Sequence, residues 1–279
     1  CLWDTLEAGK DWYGIRYDNP EKTTLWVREG RSGGIHPKVR LKPEDRIKEM
    51  DAIGTDLQVV SVHTQIFGYH LSPQDGLAQA REINDEIAGM ARDRPDRFSG
   101  MATLPMQDVD ASIAELDRAV NTLGLKGAEL DTVVNGKDWD EPEFLPLFKA
   151  AESMGAVLFY HPNPQHNILA GRNTRLNLPN AVGVPMEDAI VTATLICSGI
   201  LDKCPDLKVC IVGCSLNTYQ THNGPNAVSR SIIKLTSAAE ISFGPKVIKP
   251  IATGKIKPPF RPRIRKSLTD GVIGSAPIK

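Results

Sequence analysis

The feature that most constrains the fold is a regular alternation of short apolar runs and helix patterns between residues 43 and 210. The run at residues 57–63 is rich in β-branched side chains and is short enough to be a strand. Residues 73–91 then carry apolar side chains at spacings of three and four, which is typical of an amphipathic helix. The same alternation predicts strands that start near residues 57, 98, 125, 156 and 208, with helices over 73–91, 108–123, 142–154 and 185–201.

Strands that alternate with helices predict right-handed βαβ units and therefore an α/β fold with a parallel sheet. The five strand positions fit a TIM-type (β/α)8 barrel that is followed from its second strand to its sixth. An open doubly wound sheet is the alternative, but no G-x-G-x-x-G motif follows the first strand. The pattern therefore favours an incomplete (β/α)8 barrel.

Charge and proline content divide the chain near residue 210. From Ile211 onward there are 11 Lys and Arg against two acidic residues, together with seven prolines. We therefore predict a barrel portion over residues 1–210 and a basic, proline-containing segment over 211–279. The chain starts at Cys1 and shows no signal-peptide pattern, so we expect a fragment that has lost its beginning.

Composition argues against two classes of partner and favours one compartment. The net charge of −1 gives no general attraction to nucleic acid or to an anionic membrane. The longest uncharged apolar stretch, residues 189–201, is shorter than the ~20 residues that a membrane-spanning helix needs. The basic residues after 210 form no helical stripe and show little interleaving with aromatic residues, which disfavours nucleic acid. Five cysteines without regular spacing favour a reducing, cytoplasmic location.

His161 is the candidate metal ligand. It directly follows the apolar run at 156–160, and in a parallel barrel the ends of the strands form the active-site mouth. A neutral imidazole there suits a divalent metal, above all zinc. The alternative is a histidine that bonds only to a loop carbonyl. His63 also ends a predicted strand and is assigned ordinary hydrogen bonds, and His166 is expected to face solvent.

Phe67 and Tyr69 are the first candidate substrate-binding residues. They flank Gly68 directly after the first predicted strand, which predicts a turn that presents two rings to the mouth. The rings could contact an unsaturated or aromatic substrate there. A hydrophobic plug over the strand ends explains the same pattern, and both interpretations stay open.

Several short motifs occur in order between residues 36 and 210. They are Arg46-Ile47-Lys48-Glu49-Met50-Asp51, Phe67-Gly68-Tyr69, Asn84-Asp85, Pro95-Asp96-Arg97-Phe98, Leu104-Pro105-Met106, Tyr160-His161-Pro162 and Cys204-Pro205-Asp206-Leu207-Lys208. Their order and spacing resemble the aminocarboxymuconate-semialdehyde decarboxylase-like branch of the amidohydrolase superfamily.

The resemblance implies a distorted (β/α)8 barrel with a divalent metal, usually zinc, at its mouth. It implies non-oxidative decarboxylation of an unsaturated or aromatic carboxylic acid, a small-molecule substrate, and a homodimer. Hydrolysis of a lactone or amide is the alternative within the same superfamily. A non-catalytic barrel remnant with a basic interaction tail is the third hypothesis.

The resemblance also shows where the chain departs from the family. Of the family's metal ligands only His161 has a counterpart, because the H-x-H pair would precede Cys1 and no D-x-P follows. Gly213 or Cys214 takes the place of the catalytic histidine, and His36 stands where relatives carry an arginine for the substrate carboxylate. We therefore expect an inactive chain, with a shifted reading frame beyond residue 210 that sequencing of the coding DNA would test.

Overall fold

The computed structural model describes residues 2–27, 31–34, 37–164, 166–169, 172 and 178–212. His36, Gly213, Cys214 and nearly all of the basic segment lie outside the described residues. The helices are α1 (Leu2–Glu7), α2 (Pro43–Ile53), α3 (Pro73–Asp93), α4 (Val109–Asp117), α5 (Leu145–Met154), α6 (Val184–Cys197) and α7 (Ile200–Lys203). The strands are β1 (Ile15–Tyr17), β2 (Thr24–Val27), β3 (Arg31–Gly34), β4 (Gln58–Val60), β5 (Phe98–Gly100), β6 (Gly127–Leu130), β7 (Val157–Tyr160) and β8 (Lys208–Ile211).

Strands β4 to β8 are parallel and lie beside one another in chain order. β4 pairs with β5, β6 with β7, and β7 with β8. A parallel bridge between Ala102 and Ala128 joins β5 to β6. Each of the five strands lies at a predicted position, so the prediction of parallel βαβ units is confirmed. A doubly wound sheet reverses its strand order at a switch point, and the consecutive order found here contradicts that alternative for the described strands.

The helices between these strands begin at the residues that the sequence marks for them. The hydroxyl of Ser72 accepts a hydrogen bond from the backbone N–H of Asp75 at 3.1 Å, and Pro73 occupies the first turn of α3. The carboxylate of Asp108 accepts one from the N–H of Ala111 at 3.0 Å at the start of α4. These two caps fix where α3 and α4 leave their loops.

A small antiparallel sheet precedes the parallel strands and was not part of the prediction. It has the order β1-β2-β3. Trp12 and Ile15 at its start are buried in the main core. The indole Nε1 of Trp12 donates to the Glu82 carboxylate of α3 at 2.8 Å, which attaches this sheet to the helical layer.

The parallel strands separate two environments. Leu130, Leu158 and Tyr160 belong to the large apolar core. Met101, Val157 and Cys210 form a second, smaller cluster with Phe159. Because side chains alternate along a strand, Glu129 and Asp131 point to the opposite face from Leu130.

Among the described helices, none combines the length and the apolar character needed to cross a bilayer.

Candidate active site at the strand ends

The carboxyl ends of β4, β6 and β7 bring three polar residues to one edge of the parallel strands. His63 follows β4, Asp131 follows β6 and His161 follows β7. Leu130 is the register partner of Tyr160, so Asp131 and His161 occupy the next paired position along the two strands. The sequence predicted this placement for His161 but did not single out Asp131.

His161 is held by its backbone and by one ring nitrogen. Its N–H donates to the carbonyl of Leu130 at 2.8 Å, and its Nδ1 lies 3.2 Å from the carbonyl oxygen of Pro162. A proton on Nδ1 satisfies that carbonyl and leaves Nε2 with a free lone pair. Burial lowers the pKa of His161 and favours the neutral ring that a metal ligand requires. The loop-carbonyl contact is thus present, and the ligand role stays a prediction.

His63 has the ordinary hydrogen bond that the sequence suggested. Its Nδ1 accepts from the backbone N–H of Gln65 at 3.4 Å, at the start of a short 3-10 turn. Burial lowers the pKa of His63, and the neighbouring imidazole of His161 lowers it further. The two rings therefore lie close enough to influence each other electrostatically.

Asp131 has the most extensively bonded carboxylate of the site. The residue is fully buried. Its Oδ1 accepts from the backbone N–H groups of Thr132 at 2.8 Å and Asn163 at 3.1 Å. Its Oδ2 lies 3.0 Å from Nδ1 of His166, whose side chain is 40% exposed. The expectation that His166 simply faces solvent is therefore incomplete, because its ring is bonded to a buried carboxylate.

Tyr69 and Trp139 fix the backbone of Asp131. The Tyr69 hydroxyl oxygen accepts from the Asp131 N–H at 3.2 Å, and the Trp139 indole donates to the Asp131 carbonyl at 3.0 Å. Tyr69 stacks on Phe67 with ring centroids 5.5 Å apart, and both rings are buried. Their burial fits the plug interpretation, and a substrate-binding role for Phe67 and Tyr69 remains a prediction.

Gly68 makes the predicted turn between these rings. Its φ is +71°, and a Cβ atom there would lie 2.0 Å from the side-chain oxygen of Gln79. The left-handed backbone angle is therefore what favours glycine at this position.

Glu129 adds a second buried carboxyl group on the same side of β6. It is 1% exposed, and burial raises its pKa to about 8. A hydrogen bond with the Ser61 side chain opposes that shift, and the nearby charge of Asp131 adds to it. At neutral pH Glu129 is consequently protonated for the most part.

The first turn of α6 contributes two more buried acids. Glu187 accepts from the backbone N–H of Ile168 at 2.7 Å and from the Thr132 hydroxyl at 3.3 Å. Asp188 is buried, and neither of its oxygens has a hydrogen-bond partner within the described part of the chain. Burial, and next the charge of Glu187, raises the pKa of Asp188 to about 7.

The described residues do not by themselves provide enough ligands to hold a metal ion. Among them, no group of three or more His, Cys, Asp or Glu side chains is arranged to hold one. His161 is a single donor, whereas tight divalent-metal sites need three or four converging ligands.

Sequence reasoning missed Asp131 although the signal was available, since this acid directly follows an apolar strand as His161 does.

Comparisons with known proteins identify relatives along most of these elements. The chain is 39% identical over 168 residues to 2-amino-3-carboxymuconate-6-semialdehyde decarboxylase of Dictyostelium discoideum, an alignment that covers 60% of this chain and 46% of the relative. A solved 2,6-dihydroxybenzoate decarboxylase with bound 2,6-dihydroxybenzoate superimposes with a TM-score of 0.55 at 26% identity, covering 65% of this chain and 62% of that one.

A third relative was solved with a metal. A dihydroxybenzoic acid decarboxylase from a Polaromonas species, with bound manganese and the inhibitor 2-nitroresorcinol, superimposes with a TM-score of 0.53 at 26% identity. The superposition covers 60% of this chain and 53% of that one. The chain spans about half the length of the curated relatives that it matches.

The family model for amidohydrolases matches residues 19–225, which is about three quarters of the chain. The match contains all five parallel strands and the residues that follow them. The expected resemblance is thereby confirmed, and the chain belongs to the amidohydrolase family of enzymes.

Proposed function

We propose that the protein is a non-oxidative decarboxylase of an unsaturated or aromatic carboxylic acid and that it depends on a divalent metal. The observation that carries this proposal is the meeting of His161 and the buried Asp131 at the carboxyl ends of consecutive parallel strands. In amidohydrolase-type barrels this edge is the catalytic one. The decarboxylase relatives support the choice of reaction.

The proposed fold is an incomplete TIM-type (β/α)8 barrel, to which the described residues contribute five neighbouring strands. The consecutive parallel order supports it, because a barrel is built by adding each strand beside the previous one. We also propose that the barrel portion covers residues 1–210 and that the basic segment covers residues 211–279.

Decarboxylation leaves an electron pair on carbon as carbon dioxide departs, and that carbon must then receive a proton. Glu129 holds a proton at neutral pH, since its pKa is raised to about 8. Met101, Val157 and Phe159 form an apolar wall on the same side of the strands. Such surroundings exclude water from a bound aromatic ring and strengthen the hydrogen bonds made to it.

The metal is the least complete part of the proposed site. Nε2 of His161 is the proposed ligand from the described residues, and the other ligands would have to come from elsewhere. Zinc is our expectation, and the manganese in the Polaromonas relative supports a divalent ion in general. No catalytic step is derived through the metal, because the described residues alone do not hold one.

The remaining assignments belong to the same proposal. A small-molecule carboxylic acid is the proposed partner, with Phe67, Tyr69 and His36 as substrate-binding residues and a homodimer as the assembly. Free thiols at Cys197, Cys204 and Cys210 support a cytoplasmic location. Among the described residues, no observation favours hydrolysis of a lactone or amide, and the basic segment beyond residue 212 lies outside them.

The test measures carbon dioxide release and metal content in parallel. The 279-residue chain should hold less than one zinc or manganese per molecule and should not release labelled carbon dioxide from 2,6-dihydroxybenzoate. The protein expressed from its natural coding sequence should release it from at least one aromatic or unsaturated acid. Carbon dioxide release by the 279-residue chain, together with one metal ion bound per molecule, would refute the interpretation that its site is incomplete.

His161 supplies the decisive variant. His161→Ala should abolish both metal retention and carbon dioxide release in the active protein, whereas His70→Ala, at an exposed histidine, should leave both unchanged. Release of carbon dioxide by the His161→Ala protein at the parent rate would overturn the proposed site.

A further inference from the structure

We propose that the edge of β4 that faces away from β5 is a docking groove for an extended peptide. The peptide adds to this edge as an antiparallel strand and places its C-terminal carboxylate on Arg46. The groove, called the β4 groove below, is a cavity of about 320 Å³ beside the strand. The inference goes beyond the proposed function and does not depend on it, because Arg46 lies at the opposite end of β4 from the candidate active site.

The β4 groove has the dimensions of an extended chain. Every residue from Gln58 to His63 lines it, which is five steps along a strand, or roughly 16 Å at ~3.3 Å per residue. A cavity of that length and volume is narrow, as a space for one strand must be. Its other lining residues are Leu2, Val39, Leu41, Arg46, Ile66, Ile83, Glu86, Ile87 and Met90.

Backbone groups of β4 face the groove. The N–H of Gln58 and the carbonyl of Val60 are bonded to the residues that flank β5, so these two residues turn their backbone groups toward β5. Along a parallel ladder alternate residues bond to the same neighbour, so Val59 and Ser61 turn theirs to the opposite edge. Among the described strands, none pairs with that edge. A strand edge of this kind is a template for an added strand.

The wall of the groove on α3 selects apolar side chains. Ile83, Ile87 and Met90 follow one another at spacings of four and three, so they present one apolar face of the helix to the groove. In an added strand every second side chain points toward this helical layer. Glu86 also lines the groove and is exposed, so acidic side chains are disfavoured there. The fitting peptide therefore alternates apolar with small polar residues.

Arg46 supplies the charge that selects a carboxylate. Its half-buried guanidinium donates to the side-chain oxygen of Gln58 at 3.3 Å and to the carbonyl of Val39 at 3.0 Å, and both acceptors are neutral. Burial lowers the pKa of Arg46, and no acidic side chain among the described residues offsets that effect. A cation that is partly removed from water without an anion is stabilised by an incoming carboxylate.

The position of Arg46 sets the direction of the peptide. Gln58 is the first residue of β4, so the guanidinium lies at the start of that strand. A peptide whose C-terminus lies there runs antiparallel to β4. A hydrocarbon acid also suits Arg46, but it leaves the backbone groups of Val59 and Ser61 without partners in the groove. The strand edge therefore favours a peptide.

The role of Arg46 is tested by fluorescence anisotropy with the 279-residue chain. The probe is a labelled hexapeptide of alternating valine and threonine with a free C-terminal carboxylate, and its matched form ends in an amide. The carboxylate form should bind about 10-fold more tightly. Arg46→Gln should remove that difference, whereas Arg92→Gln, at an exposed arginine of α3, should keep it. Equal affinities of the two forms for the parent chain would overturn the role of Arg46.

Strand addition is tested in the parent chain by amide hydrogen exchange measured with NMR. The bound hexapeptide should slow exchange of the Val59 and Ser61 amides by at least about 10-fold, because both become hydrogen-bonded. The Gln58 amide, which is already bonded beside β5, should change little. Binding that leaves the Val59 and Ser61 amides as fast as in the unbound chain would overturn strand addition.

Decanoate separates a peptide from a hydrocarbon acid. It should displace the labelled hexapeptide at least about 10-fold less effectively than the unlabelled hexapeptide does, because it cannot satisfy the strand edge. Equal displacement would assign the groove to hydrocarbon acids and overturn the proposal. Absence of hexapeptide binding would also overturn it, and would leave the proposed decarboxylation to its own test.

Discussion

Two buried aspartates, at the end of β6 and in the first turn of α6, experience opposite surroundings. Asp131 and Asp188 are 0% and 1% exposed. Asp131 has backbone donors on one carboxylate oxygen and His166 on the other, whereas neither carboxylate oxygen of Asp188 has a hydrogen-bond partner within the described residues. Burial, and next the charge of Glu187, raises the pKa of Asp188 to about 7. Burial alone does not determine what an acid does in this site, because the supply of donors decides whether its charge is stabilised.

The largest effect is expected from removal of the well-bonded carboxylate. Asp131→Ala leaves two buried backbone N–H groups and the His166 ring without their acceptor, so the free energy of unfolding should fall by about 4 kcal/mol. Urea denaturation measures it. Asp140→Ala, at an exposed aspartate, should change that free energy by less than about 0.5 kcal/mol. Equal losses in the two variants would show that the Asp131 contacts are not formed in solution.

A smaller effect, on the pH dependence of the free energy of unfolding, is expected from Asp188, whose carboxylate oxygens have no hydrogen-bond partner within the described residues. The folded pKa of Asp188, about 7, exceeds its ordinary value of 3.8, so the folded state binds the extra proton between these values. Stability contributed by this group is therefore lost as the pH rises, by about 2.5 kcal/mol between pH 5 and 8. Asp188→Asn should remove that part of the pH dependence.

Denaturation of the parent and the Asp188→Asn chain at pH 5 and pH 8 measures this change in the free energy of unfolding directly. Asp202→Asn, at an exposed acid of α7, is the control and should keep the parent slope. An Asp188→Asn chain that loses as much stability as the parent between pH 5 and 8 would mean that Asp188 is ionised in the folded protein.

The smallest effect is expected where one hydroxyl supports the Asp131 backbone. Tyr69→Phe removes the oxygen that accepts the Asp131 N–H inside the core, and should lower the free energy of unfolding by about 1.5 kcal/mol. Tyr13→Phe loses only a hydroxyl that donates to Glu82 in an exposed pair, so its loss should be below about 0.5 kcal/mol. Unfolding free energies that rank the two variants in reverse would contradict the role given to Tyr69.

The sequence predicted the parallel strands because their signal is local. Runs such as residues 156–160 are apolar on both faces, which a parallel strand covered by helices requires. The same property placed His161 at a strand end. The strands β1 to β3 escaped prediction because their sequences carry a weak strand signal; β3, for example, is Arg31-Ser32-Gly33-Gly34 and has no apolar side chain.

The site was only partly predictable because its bonds join distant positions. Asp131 could have been singled out by its place after β6, but its partners Asn163 and His166 lie 32 and 35 residues away. Nothing local distinguishes His166 from a solvent-exposed loop histidine. The protonation of Glu129 and Asp188 likewise depends on burial in the folded chain, which periodicity alone does not report.

A double-mutant cycle on Asp131 and His166 tests the central claim most directly. The free energy of unfolding is measured for the parent chain, Asp131→Asn, His166→Ala and the double variant. A carboxylate that holds the imidazole predicts a coupling energy of about 1–2 kcal/mol between the two positions. Additive effects, with a coupling energy near zero, would contradict it.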